Sequence, residues 1–512
     1  MPETELETEL KFLIIGEDLK KVMLLPAFKA ALPGAHRGRI DTIYFDTPDR
    51  DLWKRGFILR IRKAGQSLIQ SVKQETPSSI ERGEWERETA CAAPDLAAIG
   101  RTPLAHLIRK HRLGASLRPT FEVHVERMSF MLDDGGAQIE VAIDQGDIEA
   151  AGGKLAVCEL ELELKRGDQA ALFDLARAIS SQGPLHLSFI SKAERGHRLA
   201  QRIWGCSAKS SKPRLGVDMT CRQAFQAICQ SCLHDFMLNE ASFATSDRVE
   251  AIHQGRIAIR RLRAAITLFK PMVLDDAYAR MHDELKWLAG LLGAARDLDV
   301  LAERMPEPAE GGALPAGLQA FADRIEAKRR RFHKAVLEGA QDERARTLLV
   351  DIVAWIEDGQ WRKQPSDLPD AALTSFIGRR LKKRLKSLMR QGANLADLGP
   401  EARHRVRIEA KKLRYMGEFF VDVPGVAVSP KLLKRFVQTL GELQTTLGEM
   451  HDEEAKVALV EAEVQSWREE GNGLDEAAIS AAEQWAAAKI DTSAELKKAM
   501  RAYLKLAKTK PF

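Results

Sequence analysis

Near the amino terminus, Glu7, Glu9 and Lys11 alternate with Thr8 and Leu10 before the apolar run Phe12-Leu13-Ile14-Ile15. Side chains on a β-strand alternate between its two faces, so this spacing puts two carboxylates and an ammonium on one face. The pattern returns near residue 160, where Glu159, Glu161, Glu163 and Lys165 alternate with Leu160, Leu162 and Leu164. Two carboxylate-lined strands facing one interior repel each other unless cations lie between them. Hard divalent ions such as Mg²⁺ prefer such oxygen donors. The chemistry expected of this arrangement is that of metal-bound phosphate.

Basic residues at alternating positions supply the complement: Arg60 and Arg62, then Lys73 two residues beyond Ser71, with Arg127 and Lys192 further along. Inside a closed barrel these strands line a corridor with acids and bases together. Guanidinium and ammonium groups there hold phosphate oxygens through charge-assisted hydrogen bonds. A solvated sheet face would explain Arg60 and Arg62 alone. It does not explain two separate acidic strands plus the basic ones. Glu140, which shares a face with Asp144, and Glu84 and Glu86 fit either the corridor or its rim, as does Arg118. His36, His111 and His124 have no spacing that suggests ligation and are expected at the surface.

The elements that position these residues divide the chain. At 512 residues it exceeds what one core usually covers. Residues 1–205 read mainly as strands of period 2, with helical interruptions. The segment 206–216 is small and polar and contains Pro213, as a linker does. Residues 217–506 read as long amphipathic helices. The net charge of +5 is small for this length, so any polyanion site must come from local clustering. No run approaches the roughly 18 apolar residues of a membrane span, and no secretory signal pattern is present, so the expected location is cytoplasmic. The six cysteines lack the spacing of a disulfide framework or a zinc site.

The helical half repeats itself. His253-Gln254-Gly255-Arg256-Ile257-Ala258-Ile259-Arg260-Arg261-Leu262-Arg263 aligns without gaps on His404-Arg405-Val406-Arg407-Ile408-Glu409-Ala410-Lys411-Lys412-Leu413-Arg414. Leu292-Gly293-Ala294-Ala295-Arg296-Asp297 follows the first copy and Leu447-Gly448-Glu449-Met450-His451-Asp452 the second. On a helix, positions 0, 3, 7 and 10 fall within an arc of roughly 80°. His253, Arg256, Arg260 and Arg263 therefore form one basic stripe, and His404, Arg407, Lys411 and Arg414 another. Asp297 and Asp452, in basic surroundings, read as salt-bridge partners of these stripes. Arg379, Arg380, Lys382, Lys383 and Arg384 spread around more than one face of another helix, and some of them are ordinary surface charge.

The Glu7-x-Glu9-x-Lys11 start, Tyr44-Phe45-Asp46-Thr47, Leu59-Arg60-Ile61-Arg62, Lys73, Asp144, Glu159-Leu160-Glu161 and Ser191-Lys192 resemble the CYTH family of triphosphate tunnel metalloenzymes over residues 1–200. The duplicated helical signature resembles the CHAD domain. The resemblance implies an α+β chain: an eight-stranded antiparallel β tunnel, then an all-α domain of two pseudo-symmetric four-helix bundles. It implies hydrolysis of inorganic triphosphate with Mg²⁺ or Mn²⁺, and binding of inorganic polyphosphate by the helical half, with association to polyphosphate granules as a consequence. Carried over by position, Glu7, Glu9 and Lys11 are the catalytic set. Glu7, Glu9, Asp144 and some of Glu159, Glu161 and Glu163 hold metal. Lys11, Arg60, Arg62, Lys73, Arg127 and Lys192 clamp phosphate. His253, Arg256, Arg260, Arg263, His404, Arg407, Lys411, Lys412 and Arg414 contact polyphosphate, with Arg296 and Lys286 as additions. Other triphosphates, as in adenylate cyclase or thiamine triphosphatase, and a non-catalytic polyphosphate adaptor are the alternatives. Nucleic acid fits less well, because the stripes lack aromatic residues for base stacking.

Overall fold

In the computed structural model the described residues are 5–14, 18–75, 80–100, 102–134, 136–306, 314, 317–364, 368, 370–426, 429–470, 475–488, 492–509 and 511. Residues 1–4 and Ile15 of the expected first strand lie outside this set. Nine strands form the amino-terminal half: β1 (Glu5–Ile14), β2 (His36–Asp46), β3 (Phe57–Ala64), β4 (Ser67–Glu75), β5 (Glu81–Glu88), β6 (Arg118–Asp134), β7 (Ala137–Ala150), β8 (Gly153–Arg166) and β9 (Leu185–Leu187). Their order is β5-β4-β3-β2-β6-β7-β8-β1-β9, and the pairing of β5 with β1 closes the first eight into an antiparallel barrel. The ninth strand, too short to leave a period-2 signature, extends the far end of β1.

Turn chemistry fixes the register. Ala151 and Gly152 both have positive φ, 50° and 75°, as a two-residue turn between β7 and β8 requires. At Gly146 a Cβ would stand 1.9 Å from the His124 carbonyl oxygen, so β6 and β7 approach where only glycine fits. The alternation in β1 and β8 is inverted relative to a globular core: Leu10, Phe12, Leu160 and Leu162 are buried on the outside of the barrel, while Glu7, Glu9, Lys11 and Glu161 line its interior.

Six helices decorate the barrel: α1 (Leu19–Met23), α2 (Asp51–Lys54), α3 (Leu96–Ile99), α4 (Pro103–His111), α5 (Gln169–Gln182) and α6 (Lys192–Ala200). Ten more follow, namely α7 (Cys221–Glu240), α8 (Arg248–Val273), α9 (Tyr278–Glu303), α10 (Leu318–Gln341), α11 (Glu343–Asp358), α12 (Leu373–Gln391), α13 (Pro400–Phe419), α14 (Pro430–Glu470), α15 (Glu476–Ala487) and α16 (Ser493–Lys508). In chain order α7–α11 and α12–α16 form two matching sets, with α8 and α13 carrying the repeated basic signature. The described residues thus give five helices to each half of the repeat.

The halves pack directly. Arg177 of α5 donates to Asp351 of α11 at 2.7 Å and Arg346 of α11 to the Ser180 carbonyl at 3.1 Å, over one continuous apolar cluster. The connecting segment is pinned as well. Ser207 N donates to Asp247 at 2.6 Å, Ala208 N to Asn239 at 2.9 Å and Ser211 N to Asp235 at 3.0 Å, while Arg261 donates to the Ser211 carbonyl. Side chains of the helical half thus satisfy backbone groups of a segment that reads as a spacer.

Candidate active site

The barrel encloses a cavity of about 1040 Å³. Its polar lining separates into two clusters. In one, Lys73 lies 2.6 Å from Glu7 and 3.1 Å from Glu84, and Arg60 donates to Glu84 at 3.1 Å. Register explains this grouping: β1 pairs with β5 over Glu5–Thr8, and Lys73 stands opposite Glu84 on β4 and β5. Glu86 accepts from Ser71 at 2.7 Å and lies within 4.0 Å of both Arg60 and Arg62. Burial and Arg60 work against the Lys73 charge, yet Glu9, Glu84 and Glu7 hold its pKa above the usual lysine value.

In the second cluster, carboxylate oxygens of Asp144, Glu159 and Glu161 all lie within 4.8 Å of one another. Arg127 makes a bidentate pair with Asp144, both bonds 2.7 Å, and reaches Glu161 at 2.7 Å. Lys11 lies 3.1 Å from Glu161 and 3.8 Å from Glu159. Lys192, at the start of α6, contacts Asp144 at 2.7 Å, Glu161 at 3.0 Å and also Glu159. Burial favours the neutral acid at Glu161, but Lys192, Lys11 and Arg127 outweigh it and depress its pKa far below the carboxylate range. Lys192 and Arg127 likewise lower Asp144 against burial, while Asp144, Glu159 and Glu161 raise Lys192 against burial and the Arg127 charge.

Several expectations change in detail. The two acidic rows do not oppose each other across the lumen: β1 and β8 are adjacent, with Glu9 opposite Glu163 and Lys11 opposite Glu161. Repulsion is relieved by register, which sets an ammonium beside the central carboxylate. Glu7 stands with Lys73 rather than with the three-carboxylate group. Glu163 leaves that group too, lying 2.6 Å from Lys165, which also reaches Glu140 at 3.1 Å. Glu159 is fully buried and is capped by Arg195 of α6, a residue the sequence reading did not single out. Its position three residues after Lys192 on one helix face was the available signal. Arg118 is exposed at the start of β6, and His124 pairs with Asp41 at 2.7 Å.

In the helical half, α8 and α13 pack together and bring the repeated stripes into one seam. Arg256 faces Asp297 at 3.8 Å and Arg407 faces Asp452 at 3.7 Å, the expected salt bridges in matching positions. Gly293 and Gly448 make room for these arginines, since a Cβ on either would sit 3.4 Å from the guanidinium Nε. Lys411 has no carboxylate within 4 Å among the described residues, while burial and Arg260, Arg407, Arg256 and Arg414 push its pKa down to about 6. Burial lowers His253, with Arg296 adding to it, and lowers His404, with His451 and Arg407 adding. The His404 and His451 rings lie 4.0 Å apart. His451 and Tyr415, whose ring Arg414 covers at 4.8 Å, join the seam unannounced by the sequence reading.

Two expected contacts fall elsewhere. Arg263 is not among the cations that depress Lys411, and the charge it feels beside burial is that of Asp283 on α9. Lys412 pairs with Glu409 at 2.9 Å beside Arg384, because it stands 100° around the helix from Lys411. Arg414 stays with the seam while bonding Gln444 and Glu418.

Barrel and seam define a two-part architecture of tunnel and paired bundle, and comparison with known proteins gives both parts family names. Residues 5–197 match the family model of the CYTH domain and residues 227–461 that of the CHAD domain. The chain is 31% identical over 161 residues to an inorganic triphosphatase of Haemophilus influenzae, a match covering 31% of this chain and 45% of that protein. The chain thus spans less than half the length of that relative. An uncharacterized Mycobacterium tuberculosis protein is 24% identical over 433 residues, 81% of this chain and 82% of its own. The crystal structure of the CHAD domain from the plant Ricinus communis superposes with a TM-score of 0.51 at 24% identity, covering 60% of this chain and 99% of that one, and supports the helical fold. No helix among the described residues is long and apolar enough to cross a membrane.

Proposed function

We propose that the tunnel hydrolyses inorganic triphosphate to diphosphate and phosphate with a divalent metal, Mg²⁺ or Mn²⁺, and that the helical seam binds inorganic polyphosphate. The observation that carries the first part is the group Asp144, Glu159 and Glu161, surrounded by Lys11, Arg127 and Lys192. A polyanion site needs cations only, so three carboxylates at its centre call for a second class of positive charge. The donor set fits the metal: all oxygen, anionic and close enough to share one hard ion. Asp144, Glu159 and Glu161 would hold it. A divalent ion in such a place supplies Lewis-acid charge and a water of lowered pKa.

The chain's own residues supply the rest. Lys11, Arg127, Lys192, Lys73 and Arg60 are each paired to a carboxylate. Neutralising those carboxylates frees Lys11, Arg127 and Lys192 on one side, and Lys73 and Arg60 on the other, to take phosphate oxygens along the corridor. Lys11, beside Glu161 and Glu159, is placed to stabilise charge that develops at the reacting phosphoryl group. Similarity to the inorganic triphosphatase of Haemophilus influenzae supports this reading. The test is phosphate release from tripolyphosphate with Mg²⁺, beside ATP and thiamine triphosphate. Turnover of tripolyphosphate that Lys11→Ala abolishes is expected; equal activity in the variant would overturn it.

For the seam, the supporting observation is an excess of guanidinium, ammonium and imidazole groups over carboxylates, centred on Lys411. A polyphosphate chain would relieve that repulsion without needing bases to stack. Binding that weakens steeply with salt and is lost in Arg260→Ala is the expected outcome.

A further inference from the structure

Helix α12 contains seven Lys and Arg residues and no Asp or Glu. Arg380 and Arg384 turn inward, Arg380 donating to the Leu268 carbonyl at 3.2 Å and Arg384 to Glu409 at 3.2 Å. The other five, Arg379, Lys382, Lys383, Lys386 and Arg390, are all exposed. At 100° per residue they fall within an arc of about 100°, along about 16 Å of helix axis. Among the described residues none of the five has a carboxylate within 4 Å, whereas α10, α13 and α14 carry charged pairs at i, i+3 or i, i+4. Like charges at that spacing destabilise a helix by a few tenths of a kcal/mol per pair. A solvated surface helix has no need of such a row.

The internal repeat sharpens the observation. The counterpart of α12 is α7, and α7 is covered: His234 meets Glu194 of α6 at 2.6 Å, the Met237 sulfur accepts from Phe189 N at 3.3 Å, and Asp235 holds the connecting segment. The tunnel half thus occupies one of two equivalent places on the bundle pair. The other is open and carries only positive charge.

We propose that this face of α12 is a second anion-binding track, which takes linear polyphosphate chains too long to be contained by the seam between α8 and α13. It deepens the reading of the helical half as a polyphosphate binder and rests on it. Arg384 of α12 and Lys412 of α13 share Glu409 and so join the two helices with positive charge, which lets one long chain engage both places. Tethering two contacts on one ligand raises affinity without strengthening either. The row contains no aromatic residue, which favours a bare phosphate chain over single-stranded nucleic acid.

The test uses the full chain and a variant with Lys382→Gln, Lys383→Gln, Lys386→Gln and Arg390→Gln, all at exposed positions. Long-chain polyphosphate is expected to bind the variant about tenfold more weakly, and the slope of log affinity against log salt to shrink by about 3 for four lost cations. Tripolyphosphate hydrolysis should stay as in the parent, and the unfolding temperature should hold or rise slightly as the like-charge pairs are removed. Unchanged long-chain affinity and slope in the variant would overturn the track, while a parallel loss of binding in Arg260→Ala would leave the seam standing. A parent protein that binds no polyphosphate would remove both. Oligouridylate bound more tightly than polyphosphate, and lost in the variant, would overturn the assignment in favour of RNA.

Discussion

The tunnel and the seam are both rich in Lys and Arg, yet they hold charge in opposite ways. In the tunnel every cluster is mixed: Lys73 with Glu7 and Glu84, and Arg127, Lys11 and Lys192 with Asp144, Glu159 and Glu161. Partners hold Glu161 ionised and Lys192 protonated against burial. In the seam cations face cations, and the pKa of Lys411 falls to about 6. A neutralised corridor must exchange internal ion pairs for ligand, which suits a ligand that brings positive and negative charge together. An unneutralised seam accepts a bare polyanion.

The largest expected effect tests the first half of that contrast. Glu161→Gln keeps the shape of the lumen but removes the charge shared by Lys11, Arg127 and Lys192. Tripolyphosphate hydrolysis should fall by about a hundredfold or more, with excess Mg²⁺ failing to restore it. Steady-state kinetics across a metal titration check it, and full recovery at high metal would mean that Glu161 acts on affinity alone. Arg195→Ala should act on stability instead, because it strips a partner from a fully buried carboxylate. With Lys192 still in contact, a loss of about 3 kcal/mol in denaturant unfolding is expected.

The seam gives the intermediate effect, and its sign can be worked out. An unfolded lysine titrates near 10.4, while folded Lys411 titrates at about 6. Between these values the unfolded chain binds more protons, so this group makes stability rise with pH, and its penalty is largest below about 6. Lys411→Met should therefore raise the unfolding temperature at pH 7, with the gain fading toward about pH 10; solvent screening keeps it modest. Polyphosphate favours the protonated forms of Lys411, His253 and His404, so its affinity should rise as pH falls from 8 to 5. Affinity that is flat over that range would mean these groups do not face the ligand.

The contrast was legible in the sequence to the extent that period and repetition carry it. The alternation at Glu7-Glu9-Lys11 and Glu159-Glu161-Glu163 fixed a polar-inside barrel, because a face assignment needs only the strand period. Which acids meet which bases depends on register, set by turns such as Ala151-Gly152 and by the β1–β5 closure. Thus Glu161 and Lys11 came together while Glu163 went to Lys165. Arg195 was hidden because it reaches the floor from a helix outside the strand pattern. In the helical half the stripe spacing placed Arg256, Arg260, Arg407 and Lys411 on facing sides of α8 and α13, because a helix face needs only the helical period. Tyr415 lies beside the stripe on α13 and His451 on the next helix, α14, so their place in the seam depends on how the helices pack rather than on the stripe spacing.

The smallest expected effect is the sharpest test of the seam, because it compares neighbours. Lys411 and Lys412 have the same chemistry and adjacent places in one helix, and charge counting alone would treat them alike. Lys411 stands among four guanidinium groups, whereas Lys412 already spends its charge on Glu409, on the side toward α12. Lys412→Ala should leave short-chain polyphosphate affinity within about twofold, since an exposed ion pair contributes little. Lys411→Ala should weaken it several-fold and flatten its pH dependence. Equal losses in the two variants would show that binding follows total charge rather than the seam's geometry, and the distinction between a paired corridor and an unpaired seam would then carry no functional meaning.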